Sequence, residues 1–283
     1  MNEHYQSVTA YFAEKAEAYD DVDQQLYWVF SDRFYREVLR RELAPILDGK
    51  REIRLLDAGA GTGRWTVAFD ALFGGQSGVS GTLVDISPDM LAVAERKVQA
   101  PPHAGRFRCQ VGNIESMPEV PDASFDVCLS FYNVLSFVEH PERALREIRA
   151  KLAPGGVHAA VLGNTYHALY FSLLTGRRAE LERVDKESMI RFNDVMPSMR
   201  CYTLRQLEEL YLAAGFTNVK VLGGPNFLYP GMEETFVHGA TERLQSDLGD
   251  RAAMDRLLEI ELAHYADPGV VGRGNTLLVL ARA

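Results

Sequence analysis

The chain has 283 residues, 47% hydrophobic and 24% charged, enough to bury the core of one large α/β domain or of one domain with an elaboration. Its formal net charge is −9, and its densest basic stretch (Arg33, Arg36, Arg40, Arg41) is interleaved with Glu37 and Glu42, so the basic run by which nucleic-acid binders hold phosphates is missing. No segment approaches ~18 consecutive apolar residues, the opening stretch lacks a signal-peptide pattern, and Cys109, Cys128 and Cys201 show no CxxC spacing, which predicts a cytoplasmic protein with reduced thiols and no membrane span.

Residues 5–48 read as helical, with Tyr27, Phe30, Phe34 and Val38 at helical spacing and a polar break near Asp20–Gln24. A regular alternation follows. Strands are predicted at Arg54–Ala58, Gly81–Ile86, Phe107–Val111, Phe125–Phe131 and Val157–Leu162, and helices at about 63–74, Pro88–Gln99 and Pro141–Leu152. That rhythm indicates βαβ units and a parallel sheet covered on both faces. Past Gly163 it loosens into an irregular, partly helical insertion at 165–198. A helix over Leu204–Ala214 then ends on Gly215, and a polar helical stretch covers about 233–264. Phe216–Leu222 and Thr276–Ala281 are apolar strands that can pair antiparallel at the sheet edge. One doubly wound, mostly parallel, seven-stranded Rossmann-like domain is expected over 1–283. It divides into a helical lid (1–48), a core (50–163) and an acceptor-pocket insertion with closing strands (164–283).

The most informative segment is LLDAGAGTGRW, Leu55 to Trp65. A buried strand ends at Asp57, and Gly59, Gly61 and Gly63 let the backbone turn tightly and approach a ligand where a Cβ would clash. The next helix begins there with free N–H groups. The spacing is GxGxG, and Arg64 stands where a dinucleotide fingerprint needs a third small residue. Asp85 ends the second strand in LVDIS, at the same crevice, where a carboxylate can accept from both hydroxyls of a ribose. Its plainer role, capping the next helix, is already filled by Ser87, followed by Pro88 at the first helical position.

At these residues the chain resembles the class I S-adenosylmethionine-dependent methyltransferase family, over about residues 50–163. Weaker similarity to its ubiquinone/menaquinone-type and type-11 small-molecule members covers most of the rest. LDAGAGTG resembles the first motif and LVDISPDML the second, GNIESMP at 112–118 the segment after strand three, and 124–157 the fourth motif with its Pro-Gly-Gly turn. The resemblance implies S-adenosyl-L-methionine as cofactor. Asp57, Gly59, Ala60 and Gly61 would hold its methionine part and Asp85 its ribose. Ile86, with Met90 beside it, would cover the adenine. Asn113 would accept from the adenine amino group, where many relatives have Asp, with Ile114 packed nearby. Phe131 would sit by the sulfonium, and Tyr19, in an AxxYD pattern, would close over the cofactor or simply pack inside the lid.

Methyl transfer from a sulfonium is an in-line displacement, so alignment and exclusion of water matter most, and a base is needed only if the acceptor must lose a proton. His167, in GNTYHALY after strand five, is the imidazole best placed to act as base, with Tyr132 and Tyr166 as alternatives and Asn133 beside them. A helix-start histidine facing solvent is the plainer reading of His167. His140 reads as a surface-loop residue, and His4, His103, His158, His238 and His264 lack ligand spacing, so no metal site is expected. Aromatic residues of the N-terminal region (Tyr5, Tyr11, Phe12, Trp28) and of 165–235 (Phe171, Phe192, Phe227, Tyr229) flank the core sequence, and most are expected to pack. They imply a small, largely apolar organic acceptor, such as a specialised metabolite, with a homo-oligomer left open. A nicotinamide-dependent oxidoreductase would need the missing fingerprint. Aminopropyl transfer would need an acidic pair that SFYN at 130–133 lacks, and a non-catalytic S-adenosylmethionine-binding protein would show a filled crevice.

Overall fold

The computed structural model describes residues 2–75, 78–228 and 240–283. Tyr229 and His238 lie outside the described residues.

Strands β1 (Glu52–Ala58), β2 (Gly78–Asp85), β3 (Phe107–Val111), β4 (Phe125–Ser130) and β5 (Leu152–Asn164) run parallel in the order β3-β2-β1-β4-β5. The strand at Thr276–Arg282, β9, lies antiparallel between β5 and β8 (Thr217–Gly224), as the apolar pattern at the C-terminal end predicts. Two short strands were not read from the sequence. β6 (Met189–Ile190) and β7 (Met199–Tyr202) form inside and just after the irregular stretch, and β7 pairs with the last residues of β5. The sheet thus has nine strands rather than seven. A two-residue strand carries too few side chains to show alternation.

Leu55 and Leu56, adjacent in β1, serve opposite cores, as successive strand residues must. One core joins Leu56, Val84, Ile148, Tyr211 and Val279, and the other joins Phe34, Leu39, Leu55, Phe69, Val161 and Leu280. Both faces of the parallel sheet are therefore covered. Helices α6 (Pro141–Lys151) and α9 (Leu204–Ala213) serve the first core, α2 (Leu26–Leu47) and α3 (Arg64–Phe73) the second. Ser87 caps α4 (Pro88–Gln99) by accepting from Met90 N, with Pro88 at its start.

The predicted polar break near Asp20–Gln24 is a 3-10 helix, Ala16–Gln24, between α1 (Glu3–Ala13) and α2. It packs across the glycine-turn end of the sheet along its length: Asp20 accepts from Thr62 Oγ1 (2.7 Å) and Lys97, Glu17 pairs with Arg96 (2.7 Å) and Asp23 with Arg64. Residues 165–198 fold into α7 (Thr165–Leu174), α8 (Arg178–Glu187) and β6, and the C-terminal helical stretch into α10 (Ala240–Gly249) and α11 (Arg251–His264). No helix among the described residues is long and apolar enough to cross a membrane.

Candidate functional site

The turn after β1 is shaped by Gly59, Gly61 and Gly63, with φ of 87°, 53° and 71°. At Gly59 no other residue fits, because a Cβ would lie 2.2 Å from Val134. Gly59 N and Ala60 N donate to Val84 O (2.7 and 3.0 Å), which draws the turn against the end of β2. There Asp85 accepts from Gly61 N (2.8 Å) and Ser87 N (2.9 Å), so it braces the glycine turn instead of capping α4. Burial pushes its carboxyl up, against those backbone donors. Asp57 is buried and accepts from Thr66 Oγ1 (2.6 Å), and burial, with Asp85 adding, raises it to about 7.

Above this turn lies a cavity of about 650 Å³. Gly59, Gly61, Asp85, Ile86, Met90, Asn113, Ile114, Phe131, Tyr132 and Tyr19 line it, which brings together most residues the motifs singled out. Ala60 and Asp57 line an adjoining space of about 360 Å³ that runs past Gly59, Arg64 and Trp65 to Phe131. Asn113 Oδ1 already accepts from Glu115 N (2.9 Å). Burial pushes the Tyr19 hydroxyl up to about 12.

The rest of the lining was missed from sequence. Val134, Phe137 and Val138 come from α5 (Val134–Phe137) and the residue after it, and Val8 from α1. Tyr5 and Phe12, grouped with the acceptor side in the sequence, also face this cavity. Tyr5 donates to Glu115 and accepts from Glu139 N (3.0 Å), and the Phe12 ring meets Phe137 edge-on at 5.4 Å. A helix over this stretch was legible, but nothing local says which crevice it covers.

Two further cavities, of about 760 and 790 Å³, adjoin the first through Tyr132. The outer one is lined by Tyr11, Lys15, Trp28, Arg64 and Asn133 among others, the inner one by Asn133, His167, Phe171, Phe192, Met199, Asn275 and Thr276. His167 does not face solvent. It is 7% exposed among the rings of Phe171 and Phe192, and burial lowers its imidazole to about 4. Tyr166 stands elsewhere: its ring is 51% exposed, beside Gly272, and lines none of these cavities. It is therefore set aside as a site residue, because α7 turns position 166 outward where it turns 167 inward. Tyr132 and Asn133 both adopt left-handed backbone (φ 57° and 70°), and the Tyr132 hydroxyl donates to Asp32, which pairs with Arg64. Burial raises both Tyr132 and Asp32. Among the described residues no group of three or more His, Cys, Asp or Glu is placed to hold a metal.

Residues 56–160 match the model of a methyltransferase domain family. The chain is 30% identical over 197 residues to the ubiquinone/menaquinone biosynthesis C-methyltransferase UbiE of Yersinia enterocolitica, covering 65% of this chain and 75% of that protein. It is 37% identical over 124 residues to UbiE of Methylobacterium nodulans, covering 44% and 46%. Among solved structures, a possible histamine N-methyltransferase from Thermotoga maritima superposes with a TM-score of 0.55 at 18% identity, over 97% of this chain and 99% of that one. The [4+2]-cyclase SpnF superposes at 0.53 with 20% identity, over 87% and 79%, so the fold by itself does not name a reaction. The motif order, the glycine turn braced by Asp85 and the relatives agree: the chain belongs to the class I S-adenosylmethionine-dependent methyltransferases.

Proposed function

We propose that the chain methylates a small, largely apolar organic molecule, held in the cavities beyond Tyr132, and that it does not act on nucleic acid. The carrying observation is that one residue, Tyr132, walls both the cavity over the glycine turn and the two cavities beside it, of which the inner is mostly apolar. In this reading residues 1–48 close over the site, 50–163 hold the cofactor, and 164–283 supply most of the wall of the inner cavity within a single domain.

The residues present fit the cofactor. The glycine turn leaves no side chain between backbone and ligand at Gly59, and the Asp85 carboxylate keeps lone pairs beyond the two it gives to Gly61 N and Ser87 N. Asp85 would take the ribose hydroxyls, and Ile86, Met90 and Ile114 the adenine faces. Asn113 would use the second lone pair of Oδ1 for the adenine amino group. Asp57, Gly59, Ala60 and Gly61, with Tyr19 above and Phe131 beside them, would hold the methionine end. S-adenosylmethionine, when bound, supplies an electrophilic methyl group on a sulfonium.

The protein's own contribution is then mainly alignment and dryness. Rings of Trp28, Phe171 and Phe192 exclude water, and the half-buried Tyr132 fixes the boundary between the two ligands. Burial keeps the His167 imidazole unprotonated near neutral pH, and in this reading it takes a proton from an acceptor hydroxyl in the transition state. Transfer of label from methyl-labelled S-adenosylmethionine to a panel of neutral aromatic and alicyclic acceptors tests the reading. A product is expected, with His167→Ala lowering kcat about 10²-fold or more on a hydroxyl acceptor. Transfer only to tRNA or DNA would refute it, and a loss below about tenfold would leave alignment as the whole mechanism.

A further inference from the structure

We infer that the acceptor is an uncharged, ring-sized molecule bearing a hydroxyl or N–H, and that Asn133 is the residue that receives that group. The inference rests on the reading just given and specifies it.

Asn133 is fixed by its backbone. Its N–H donates to Val161 O (2.8 Å) and its carbonyl accepts from Ser136 N (2.9 Å), with φ at 70°, a conformation asparagine tolerates better than most residues. From that turn its side chain borders both the outer and the inner cavity. Its Oδ1 is buried and accepts no hydrogen bond from any described residue. A buried amide oxygen left so is costly, and a ligand donor placed there removes that cost while a ligand without one cannot.

Several neighbouring polar groups already have partners, while Arg64 Nε, on the outer cavity's lining, is buried without one. Thr276 Oγ1 donates to Gly224 O (2.8 Å), Asn275 Nδ2 to Tyr27 Oη (3.3 Å), and Tyr132 to Asp32. Asn133 Oδ1 is therefore an acceptor without a partner among the described residues, on a residue that lines both cavities. Among the described residues the inner cavity has no Asp, Glu, Lys or Arg in its lining; of these two cavities Lys15 and Arg64 border the outer one, and Arg64 is paired with Asp23 and Asp32. Tyr132 and His167, its two titratable groups, are both kept neutral by burial. A carboxylate or ammonium would enter such a space without a counter-charge, at a large desolvation cost.

Fluorescence titration of the protein loaded with S-adenosylhomocysteine tests this, with 2-naphthol, 2-methoxynaphthalene and 2-naphthoate as probes. We expect 2-naphthol to bind about tenfold or more tighter than its methyl ether, and naphthoate more weakly than naphthol. Asn133→Gly, which keeps the left-handed backbone, should bring naphthol and ether to within about twofold. Near-UV circular dichroism and S-adenosylhomocysteine binding report whether that variant is folded, and the ratio in the native protein decides the matter if it is not. Equal binding of naphthol and ether, a preference that survives in a folded Asn133→Gly, naphthoate as the tightest probe, or no binding of any probe would overturn the inference. Failure of the native protein to bind S-adenosylhomocysteine would be a failure of the methyltransferase reading instead.

Discussion

The Tyr132 hydroxyl donates to Asp32, a residue one hundred positions earlier in the chain and on a different layer of the fold. Asp32 is buried and paired with Arg64, the residue that follows the glycine turn. Helix α2, the glycine turn and the Tyr132 wall between the cavities are thus tied by three side chains. Asp32→Ala leaves Arg64 and the Tyr132 hydroxyl buried with one partner fewer, and should cost about 2–4 kcal/mol of folding stability. Urea denaturation measures it, and a cost under about 0.5 kcal/mol would show that solvent replaces the pair.

Asp85→Ala should weaken S-adenosylhomocysteine binding by about 1–3 kcal/mol, roughly 5- to 150-fold, because two ribose hydroxyls and Gly61 N lose their acceptor together. Isothermal titration gives the value. An unchanged dissociation constant in a folded variant would reduce Asp85 to a brace for the turn.

Asp20 joins the lid to Thr62 and Lys97 at the edge of the cofactor cavity. Asp20→Ala should speed S-adenosylhomocysteine release about 3- to 10-fold with little change in melting temperature, since the pair is only part-buried and a lid sets release rather than folding. Stopped-flow displacement reads the rate, and the native rate should itself rise with salt. A variant that releases ligand at the native rate would mean the 3-10 helix stays closed without this contact.

Acid should unfold the protein partly through two histidines. His158 is fully buried between Ser130 Oγ and Tyr211 Oη (3.1 Å each) and lowered to about 3, and His167 is lowered to about 4. Both folded values lie below the unfolded 6.5, so the unfolded chain takes up protons first as pH falls. Their contribution is whole above 6.5, falls as pH drops below it, and is fully lost near 3–4. At pH 5 each should subtract about 2 kcal/mol. Denaturation of His158→Gln across pH 5–7 should show a shallower slope than the native protein. An identical slope would place the acid sensitivity elsewhere.

The parts of this site that are contiguous in sequence were legible there. The GxGxG turn, Asp85 with Ser87 and Pro88 behind it, and the 112–118 segment each combine a local backbone requirement with a strand or helix end. Parts assembled across the chain were not. Nothing around Asp32 says that a helix over the second core will point it at Tyr132, and Phe137 reads as ordinary packing until α1 lies across it. The adjacent pair Tyr166 and His167 shows the same limit: a helix was expected there, but which of the two faces inward depends on where α7 docks.

The position of β9 has a consequence for synthesis on the ribosome. It is hydrogen-bonded on both sides, to β5 and to β8, yet comes after both in the chain. Until residues 276–282 emerge, the nascent protein has β1 to β5 made but holds β5 and β8 with open, unpaired edges, the form most prone to sticking to other chains. The half of the molecule that carries the glycine turn therefore waits, exposed along one side, for the strand that also brings Thr276 to the inner cavity. Ribosome pausing or premature termination between 225 and 275 should be more damaging than the same event before β5 is complete, because β5 and β8 then both stand without the strand that pairs them.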